Sequence, residues 1–290
     1  MKPMSTEIAG VPVRAWLPSR AAIIDSLLLG SVATLVVAIH YLLRPSIHAL
    51  LAFDHQAVNL WGFLTAAYVH HDAQHLFGNV TTFLIAGSLA SGLYRMAGQR
   101  RLFHLLLGPL LVVLPVMVLA TSFVVVSIVA PEAAPTERGF SGVASGVIGV
   151  AFAALFGLVA RWYSLQSAWR LGFGAFIILE ATVGLIYSGG QSFKMLGLAI
   201  LGGFLIGWDL ARVTEWPPSR EAWIDWGMHA GFVALVVMML VLFMLVMFPA
   251  QVVTDDSTIN IVAHGVGFLY GIGFALVGWF LMRDGSTSNS

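Results

Sequence analysis

A serine with the surroundings of a nucleophile lies at the start of a long apolar segment. In the stretch RGFSGVASGVIG, residues 138–149, Ser141 is held between Gly139 and Gly142. A serine hydroxyl becomes a strong nucleophile only when a neighbouring base takes its proton. The G-x-S-x-G elbow of soluble hydrolases requires a glycine at the position of Val143. The soluble hydrolase interpretation is therefore excluded, and a base must come from elsewhere in the chain.

Two other stretches contain polar side chains that suit the same chemistry. In HHDAQHLFGN, His75 and Asn79 are four residues apart, so they lie on one helix face a single turn of about 5.4 Å apart. Both can donate hydrogen bonds toward one point, and Asp72 is a suitable N-cap for their helix. In AHGVGFLYG, His264 stands at the start of another apolar segment. His75 and Asn79 are therefore candidate hydrogen-bond donors, and His264 is a candidate base.

Glycine spacing indicates how the serine and the histidine approach each other. Both segments have glycines four residues apart: Gly142 and Gly146 after the serine, and Gly267 and Gly271 after the histidine. Small residues at this spacing let two helices pack closely. Such packing would bring His264 within hydrogen-bonding reach of Ser141 and form a catalytic dyad. No acidic residue in the sequence obviously completes a triad.

The composition places these residues in a membrane. The chain of 290 residues is 59% hydrophobic and 10% charged, with a mean hydropathy of +0.89, whereas soluble proteins have about 25% charged residues. No segment is polar enough to form a second domain. The absence of cysteine excludes disulfides, thiolate nucleophiles and cysteine-ligated metal sites. A net charge of zero gives no indication of nucleic-acid binding.

Eight stretches are long enough, or nearly so, to cross a hydrocarbon core about 30 Å thick. They are residues 22–44, 74–94, 103–130, 139–160, 171–187, 195–211, 227–248 and 259–282. The fifth and sixth are at the lower limit, so one or both are open to a re-entrant interpretation. We therefore predict an all-α polytopic bundle with a cytoplasmic segment at 1–21, a transmembrane domain at 22–282 and a cytoplasmic tail at 283–290.

Orientation follows from the basic residues. If the N-terminus is cytoplasmic and all eight segments cross, all but three of the fourteen lysines and arginines fall on the cytoplasmic side. The three that fall outside are Arg44, Arg138 and Lys194. Both termini are then cytoplasmic, and the serine, the histidine and the predicted donors lie at the outward ends of their helices. We expect a multi-pass protein of a prokaryotic cell membrane.

Three motifs together resemble the rhomboid intramembrane serine proteases in order and in topology. They are H-x-x-x-x-H-x-x-x-N at His70, His75 and Asn79, G-x-S-G at Gly139–Gly142, and A-H-x-x-G-x-x-x-G at Ala263–Gly271. Trp61 and Thr65 also match the outer loop of that family. Each motif is short and weak alone, but the three in register with the predicted sidedness form a specific pattern over roughly residues 55–282.

The resemblance implies a function for each of these positions. Ser141 would be the nucleophile and His264 the base, while His75, Asn79 and the backbone near Gly139 and Phe140 would bind the oxyanion. His70, Gly142, Gly267 and Gly271 would support the site. The resemblance further implies cleavage of single-spanning membrane proteins within the lipid bilayer, without a metal or organic cofactor. It gives no oligomeric state and no cleavage motif.

The sequence also departs from the family pattern at three points. Gly62 replaces the arginine that commonly follows the loop tryptophan, which puts the anchoring of the loop in question. Ser145 replaces the tyrosine that often packs against the catalytic imidazole, which puts the orientation of His264 in question. Three helices, instead of one, separate the serine and histidine helices. Because the number of intervening helices is odd, Ser141 and His264 stay on the same side of the membrane. The helix through which substrate enters cannot be assigned from the family pattern.

Other polar residues support alternative interpretations. His229 in IDWGMHAGF is the one serious rival to His264, and it would become the base if a single short helix failed to cross. Glu180 is mid-helix, and Asp209 is spaced to pair with Arg212 on one helix face. A small proton-coupled transporter using these acids and the histidines is therefore one alternative. A catalytically inactive rhomboid-like protein that binds membrane clients is the other.

Overall fold

The computed structural model describes residues 7–8, 11–12, 19–129, 136–212, 219–248, 253–254, 257–258 and 261–287. The described chain is largely helical and its ten α-helices are α1 (Arg20–Leu42), α2 (Pro45–Leu51), α3 (Gly62–Thr65), α4 (Ala73–Met96), α5 (Arg100–Val129), α6 (Ser141–Trp162), α7 (Leu165–Tyr187), α8 (Phe193–Arg212), α9 (Arg220–Met247) and α10 (Ile261–Thr287). A 3₁₀ turn, Ala66–Tyr68, follows α3. The strands form three antiparallel pairs: β1 (Glu7–Ile8) with β2 (Val11–Pro12), β3 (Phe53–Asp54) with β4 (Thr136–Glu137), and β5 (Val253–Thr254) with β6 (Ser257–Thr258).

Within the described residues, seven helices are long and apolar enough to cross a membrane: α1, α4, α5, α6, α7, α9 and α10. The predicted polytopic helical bundle is confirmed. The short stretch 171–187 belongs to a helix of full span length, Leu165–Tyr187. The stretch 195–211 belongs to α8, whose apolar part, Phe193–Trp208, is shorter. At 1.5 Å per residue this part reaches about 24 Å, so the sixth predicted segment lacks the apolar length of a full span.

α7 and α8 form an antiparallel hairpin. An ideal Cβ on Gly202 of α8 would lie only 2.6 Å from the carbonyl oxygen of Gly174 on α7, so the two backbones touch there. Toward the turn, Met195 packs against Gly184. α7 also contacts α6 and α9, whereas α8 packs mainly along α7. The hairpin therefore lies beside the central helices, and α7 connects it to them through its contacts with α6 and α9.

The centre of the bundle is α6. Its sequence is rich in glycine, alanine and valine, and 89% of its apolar stretch is buried. The helices around it are α4, α5, α7, α9 and α10, and α10 contacts both α5 and α6. Small side chains let so many helices approach one axis closely. The serine at the start of α6 is consequently held by the most buried helix of the molecule.

Contacts of α9 fix its direction relative to α6. Near the start of α9, the ring of His229 stacks on Trp162 with 4.3 Å between centroids, and its Nδ1 is 2.9 Å from the hydroxyl of Tyr163. At the other end of α9, Met247 contacts Ser145 near the start of α6. The two helices thus run antiparallel. The α7–α8 hairpin returns the chain to the end at which it began, as the predicted parity of crossings requires.

A buried carboxylate ties α1 to the rest of the bundle at the opposite end from Ser141. Asp25 is 2% exposed and accepts hydrogen bonds from Arg100 at 2.8 and 3.0 Å, from Ser91 at 2.7 Å and from His104 at 2.8 Å. Ser91 lies on α4, and the other two donors lie on α5. A buried charge favours one arrangement of helices, because moving its partners away would leave it uncompensated at a high cost in free energy. α1 is therefore locked to α4 and α5.

The loop between α1 and α4 is anchored by main-chain acceptors. The indole N–H of Trp61 donates to the carbonyl of Leu50 at 3.1 Å, and the hydroxyl of Thr65 donates to the carbonyl of Leu51 at 2.7 Å. Both acceptors belong to α2. The Gly62 amide is bound by the side chain of Asn59 at 2.6 Å. The loop is thus fixed although the arginine of the family pattern is absent.

A second anchor connects this loop to the segment before the serine. β3 pairs with β4, and His55 Nε2 lies 2.6 Å from Glu137 Oε1. The hydroxyl of Ser122 on α5 donates to the same oxygen at 2.8 Å. Glu137 is four residues before Ser141. The loop, α5 and the approach to the serine are therefore joined through one carboxylate.

Candidate active site

Ser141 is the first residue of α6, and the residue before it fixes its place. Phe140 is fully buried, with its ring centroid 5.1 Å from that of Phe83 and 5.8 Å from that of Tyr68. Ser141 itself is half-buried. The aromatic side chain is thus locked between two others, while the next residue stays accessible. This arrangement presents the hydroxyl at a rigid helix start.

Gly139 brings the predicted donors against the backbone beside the serine. Its φ of +136° belongs to a region that residues with a side chain rarely adopt. An ideal Cβ at this position would lie 2.6 Å from His75 Cε1 and 3.4 Å from Asn79 Nδ2. Glycine is therefore required by both conformation and space. His75, Asn79 and the chain leading into Ser141 meet at this point.

Asn79 has a free donor in this cluster. The residue is 4% exposed, and its Nδ2 is buried with no hydrogen-bond partner in the described part of the chain. Leaving a buried donor unsatisfied costs about 1–3 kcal/mol. A buried donor without a partner requires an explanation, such as a catalytic function. Asp72 caps the helix that carries Asn79, and its carboxylate accepts a hydrogen bond from the His75 amide at 2.7 Å. This hydrogen bond lowers the pKa of Asp72.

His70 has a structural contact next to the serine. The Phe140 amide donates to His70 Nε2 at 3.2 Å. Burial, followed by the neighbouring His75, lowers the pKa of His70 to about 3, so the imidazole is neutral at physiological pH and can accept this bond. His70 therefore helps to hold the turn that precedes α6, in agreement with a supporting position.

The structure corrects one detail of the predicted oxyanion site. Gly139 and Phe140 were expected to contribute, but the Gly139 amide donates to the carbonyl of Ala66 at 2.9 Å and the Phe140 amide donates to His70. The first amides of a helix, by contrast, have no carbonyl partner within the helix. Those of Ser141 and Gly142 are in this position. The available backbone donors are accordingly shifted into the first turn of α6.

A seam of glycines joins α6 to α10. A Cβ on Gly267 would overlap the carbonyl oxygen of Gly142, and one on Gly271 would overlap that of Gly146. The two helices run parallel, since both numbers increase together along the seam. One turn earlier on both helices, the same register places His264 at the level of the residues just before Ser141. The glycine packing that the sequence predicted is present.

His264 is buried and held at one nitrogen. It is 7% exposed, and its Nδ1 lies 2.5 Å from the carbonyl oxygen of Met247 at the end of α9. A neutral imidazole has one N–H and one lone pair. Because a carbonyl only accepts, Nδ1 carries the proton and Nε2 carries the lone pair. Nε2 is thus in the form that a base requires.

The competing residues of the sequence lie elsewhere. His229 contacts the C-terminal end of α6, which has 22 residues and is therefore about 33 Å long, so His229 lies far from Ser141. Glu180 is exposed on α7, away from the seam. The side chain of Asp209 is outside the part that the structure describes, so its predicted pairing with Arg212 stays a prediction. Arg212 packs over the ring of Trp208 at 5.0 Å.

The bundle and its half-buried serine define the class of the molecule: an integral multi-pass membrane protein with a polar cluster at one end of its central helices. The sequence model of the Rhomboid domain matches residues 57–216, more than half of the chain. The chain therefore belongs to the rhomboid family. Neither a curated protein nor a solved structure matches it. The matched region contains Ser141 and the predicted donors and ends before α9 and α10.

Two residues of the site were missed by sequence reasoning. Met247 contacts His264 through its backbone carbonyl, and every residue type has such a carbonyl, so no sequence signal marks it. Phe248 lies at 6.1 Å from His264 between ring centroids, at an interplanar angle of 87°. A phenylalanine at the end of an apolar helix is too common to single out. Both lie outside the region matched by the family.

Proposed function

We propose that this protein is an intramembrane serine endopeptidase that hydrolyses peptide bonds in or near the transmembrane segments of other membrane proteins. Ser141 is the nucleophile and His264 is the general base. No carboxylate is assigned to the site, so the catalytic pair is a dyad. Membership of the rhomboid family supports this function, because the family consists largely of membrane-embedded serine proteases.

The reaction follows the usual course of acyl transfer. His264 Nε2 takes the proton of the Ser141 hydroxyl as its oxygen attacks the substrate carbonyl carbon, forming a tetrahedral intermediate. The protonated imidazole then gives its proton to the leaving amine, and the acyl-enzyme remains. Water, deprotonated by the same nitrogen, attacks the ester, and collapse of the second intermediate returns the proton to Ser141.

The observation that carries the proposal is the unpartnered Nδ2 of Asn79, buried beside the backbone that leads into Ser141. An oxyanion needs donors that are fixed before charge develops, and a free buried donor meets that need without reorganisation. We assign the oxyanion contacts to Asn79 Nδ2, His75 and the amide of Ser141.

The membrane location explains why these groups gather at one end of their helices. Hydrolysis consumes water, which the hydrocarbon core lacks. At the helix ends, a shallow polar cavity can admit water from outside while lipid surrounds its walls. With both termini cytoplasmic, this end faces away from the cytoplasm. Single-spanning membrane proteins would then be cut near their outer membrane boundary.

Cleavage of a model transmembrane substrate by the purified protein tests the proposal. The wild type should cut it, Ser141→Ala should not, and a serine-directed fluorophosphonate should label only proteins that retain Ser141. His229→Ala is the matched histidine control and should keep its activity, because His229 lies at the other end of α6. A folded Ser141→Ala protein that still cuts the substrate would refute the proposal.

An inactive, client-binding member of the family would give a different result. Such a protein would bind the substrate with no cleavage and no fluorophosphonate labelling in the wild type. The presence of both Ser141 and His264, with Nε2 of the histidine left without a proton, favours the active enzyme.

A further inference from the structure

The site holds His264 in the required form without the carboxylate of a catalytic triad. In a triad, the carboxylate binds Nδ1–H, keeps the correct tautomer and stabilises the imidazolium that forms. Among the described residues, the hydrogen bond recorded for His264 Nδ1 is to the carbonyl oxygen of Met247, at 2.5 Å. This carbonyl thus stands where the carboxylate of a triad would stand.

The position of Met247 in its helix makes this carbonyl an unusually good acceptor. Met247 is the last residue of α9, and the last carbonyls of a helix have no amide partner within it. They also carry the negative end of the helix dipole, equivalent to about half an elementary charge. A cation at this end is stabilised, so the carbonyl favours the imidazolium as well as the tautomer.

The next residue orients the plane of the ring. Phe248 continues the last turn of α9, with its amide donating to the carbonyl of Met244 at 2.9 Å. Its ring meets that of His264 edge to face, and both residues are buried, at 8% and 7% exposure. Edge-to-face contacts are directional. The ring of His264 can therefore not rotate freely about its Cβ–Cγ bond.

The small side chain of Ser145 explains why the contacts that position His264 come from α9. This position, one turn after Ser141, has no ring to place against the imidazole. Its hydroxyl instead contacts the sulfur of Met247 at 3.3 Å, which draws the end of α9 toward α6. The small side chain leaves room for that approach. Serine at position 145 thus lacks the ring that would contact His264, but it leaves space for Met247 and Phe248 to approach.

We propose that Met247 and Phe248 are positioning residues for the general base, the first through its backbone carbonyl and the second through its ring. This inference rests on the proposed function of His264. It makes the end of α9 part of the catalytic apparatus. α9 must then stay against α6 during the proton transfers.

Nitrogen-15 NMR of the histidine-labelled protein tests the carbonyl contact directly. The chain has nine histidines, and the spectrum of His264→Gln identifies the signals of His264 by difference. We expect a protonated Nδ1 and an unprotonated Nε2 at neutral pH. A protonated Nε2 would overturn the inference. This readout does not depend on turnover, so a wild type that fails to cut any substrate would contradict the proposed function alone.

A pair of phenylalanine variants tests the ring contact. Phe248→Leu should lower kcat by about 10-fold or more with little change in KM, because a misplaced base slows chemistry without weakening substrate binding. Phe243→Leu is the matched control, since Phe243 lies on the same helix and is also 8% exposed. It should keep kcat. Phe248→Tyr retains the ring and should restore most of the activity.

Two outcomes of these kinetics would overturn the inference. One is an equal loss of kcat in Phe248→Leu and Phe243→Leu at equal thermal stability, which would reduce the contact to ordinary packing. The other is an unchanged kcat in Phe248→Leu, which would show that the ring contact does not position the base.

Discussion

Substitution of Gly267 by alanine tests whether the seam between α6 and α10 sets the geometry of the dyad. Gly267 is one turn after His264, and a Cβ there would overlap the carbonyl oxygen of Gly142, next to Ser141. The obstacle is backbone on a buried helix, so no side chain can rotate away. α10 must therefore move.

The size of the effect follows from the overlap. Restoring ordinary van der Waals contact requires the seam to widen by about 1 Å, and a misplacement of this size in a catalytic group costs about 100-fold in rate. Overpacking of a tight interface typically costs about 1–3 kcal/mol of stability. We thus expect Gly267→Ala to fold, to unfold at a lower temperature and to lose about 100-fold in kcat/KM.

The matched control is Gly273→Ala on the same helix, because a Cβ at Gly273 meets no atom within 4 Å. It should keep the kcat/KM and the thermal stability of the wild type. The assay is steady-state cleavage of the model transmembrane substrate in detergent, together with the rate of fluorophosphonate labelling and a thermal unfolding curve. A folded Gly267→Ala protein with wild-type kcat/KM would refute the reasoning, and so would equal losses in both variants.

Three further predictions concern the donors, the dyad and the orientation. Asn79→Ala should fold normally and lose about 100- to 1000-fold in kcat, toward the lower value because other donors remain; unchanged cleavage would assign Asn79 to packing. Ser141→Ala and His264→Ala should each abolish cleavage, and the double variant should be no worse than either, whereas additive losses would argue against a catalytic unit. The orientation can be tested with single cysteines in place of the exposed Gln166 and Gln191, because the chain has no native cysteine. In intact cells an impermeant maleimide should label position 191 and not position 166. Labelling of position 166 would show that the predicted topology is reversed.

The fold could be predicted largely because hydrocarbon thickness imposes a length on each helix. Continuous apolar stretches marked the long helices, and the glycine pairs after Ser141 and His264 marked the interface between α6 and α10. The start of α7 was predicted less well. The polar residues that precede an apolar stretch do not show whether its helix begins before the stretch, as α7 does at Leu165.

The candidate site could be predicted only where it depends on side chains. His75 and Asn79 could be identified because they are polar residues in an apolar helix. The hydrogen-bond acceptors of Trp61 and His264 are main-chain carbonyls, which every residue type has, so the sequence does not identify them. The contact of His55 with Glu137 joins residues far apart in sequence, and it depends on a strand pair of two residues each. The amide of Phe140 was assigned to the oxyanion because its hydrogen bond to His70 Nε2 cannot be predicted from the sequence.

Because α10 packs against both α5 and α6, the proposed site is complete only once α10 is in place. Chains are synthesised from the N-terminus at about 5–20 residues per second, so α10 with His264 leaves the ribosome after α6 with Ser141. On the proposed mechanism, the nascent chain then has its nucleophile in the membrane before its base. Ser141 would be inert until α10 closes the seam, and neighbouring membrane proteins would be protected from cleavage until that point.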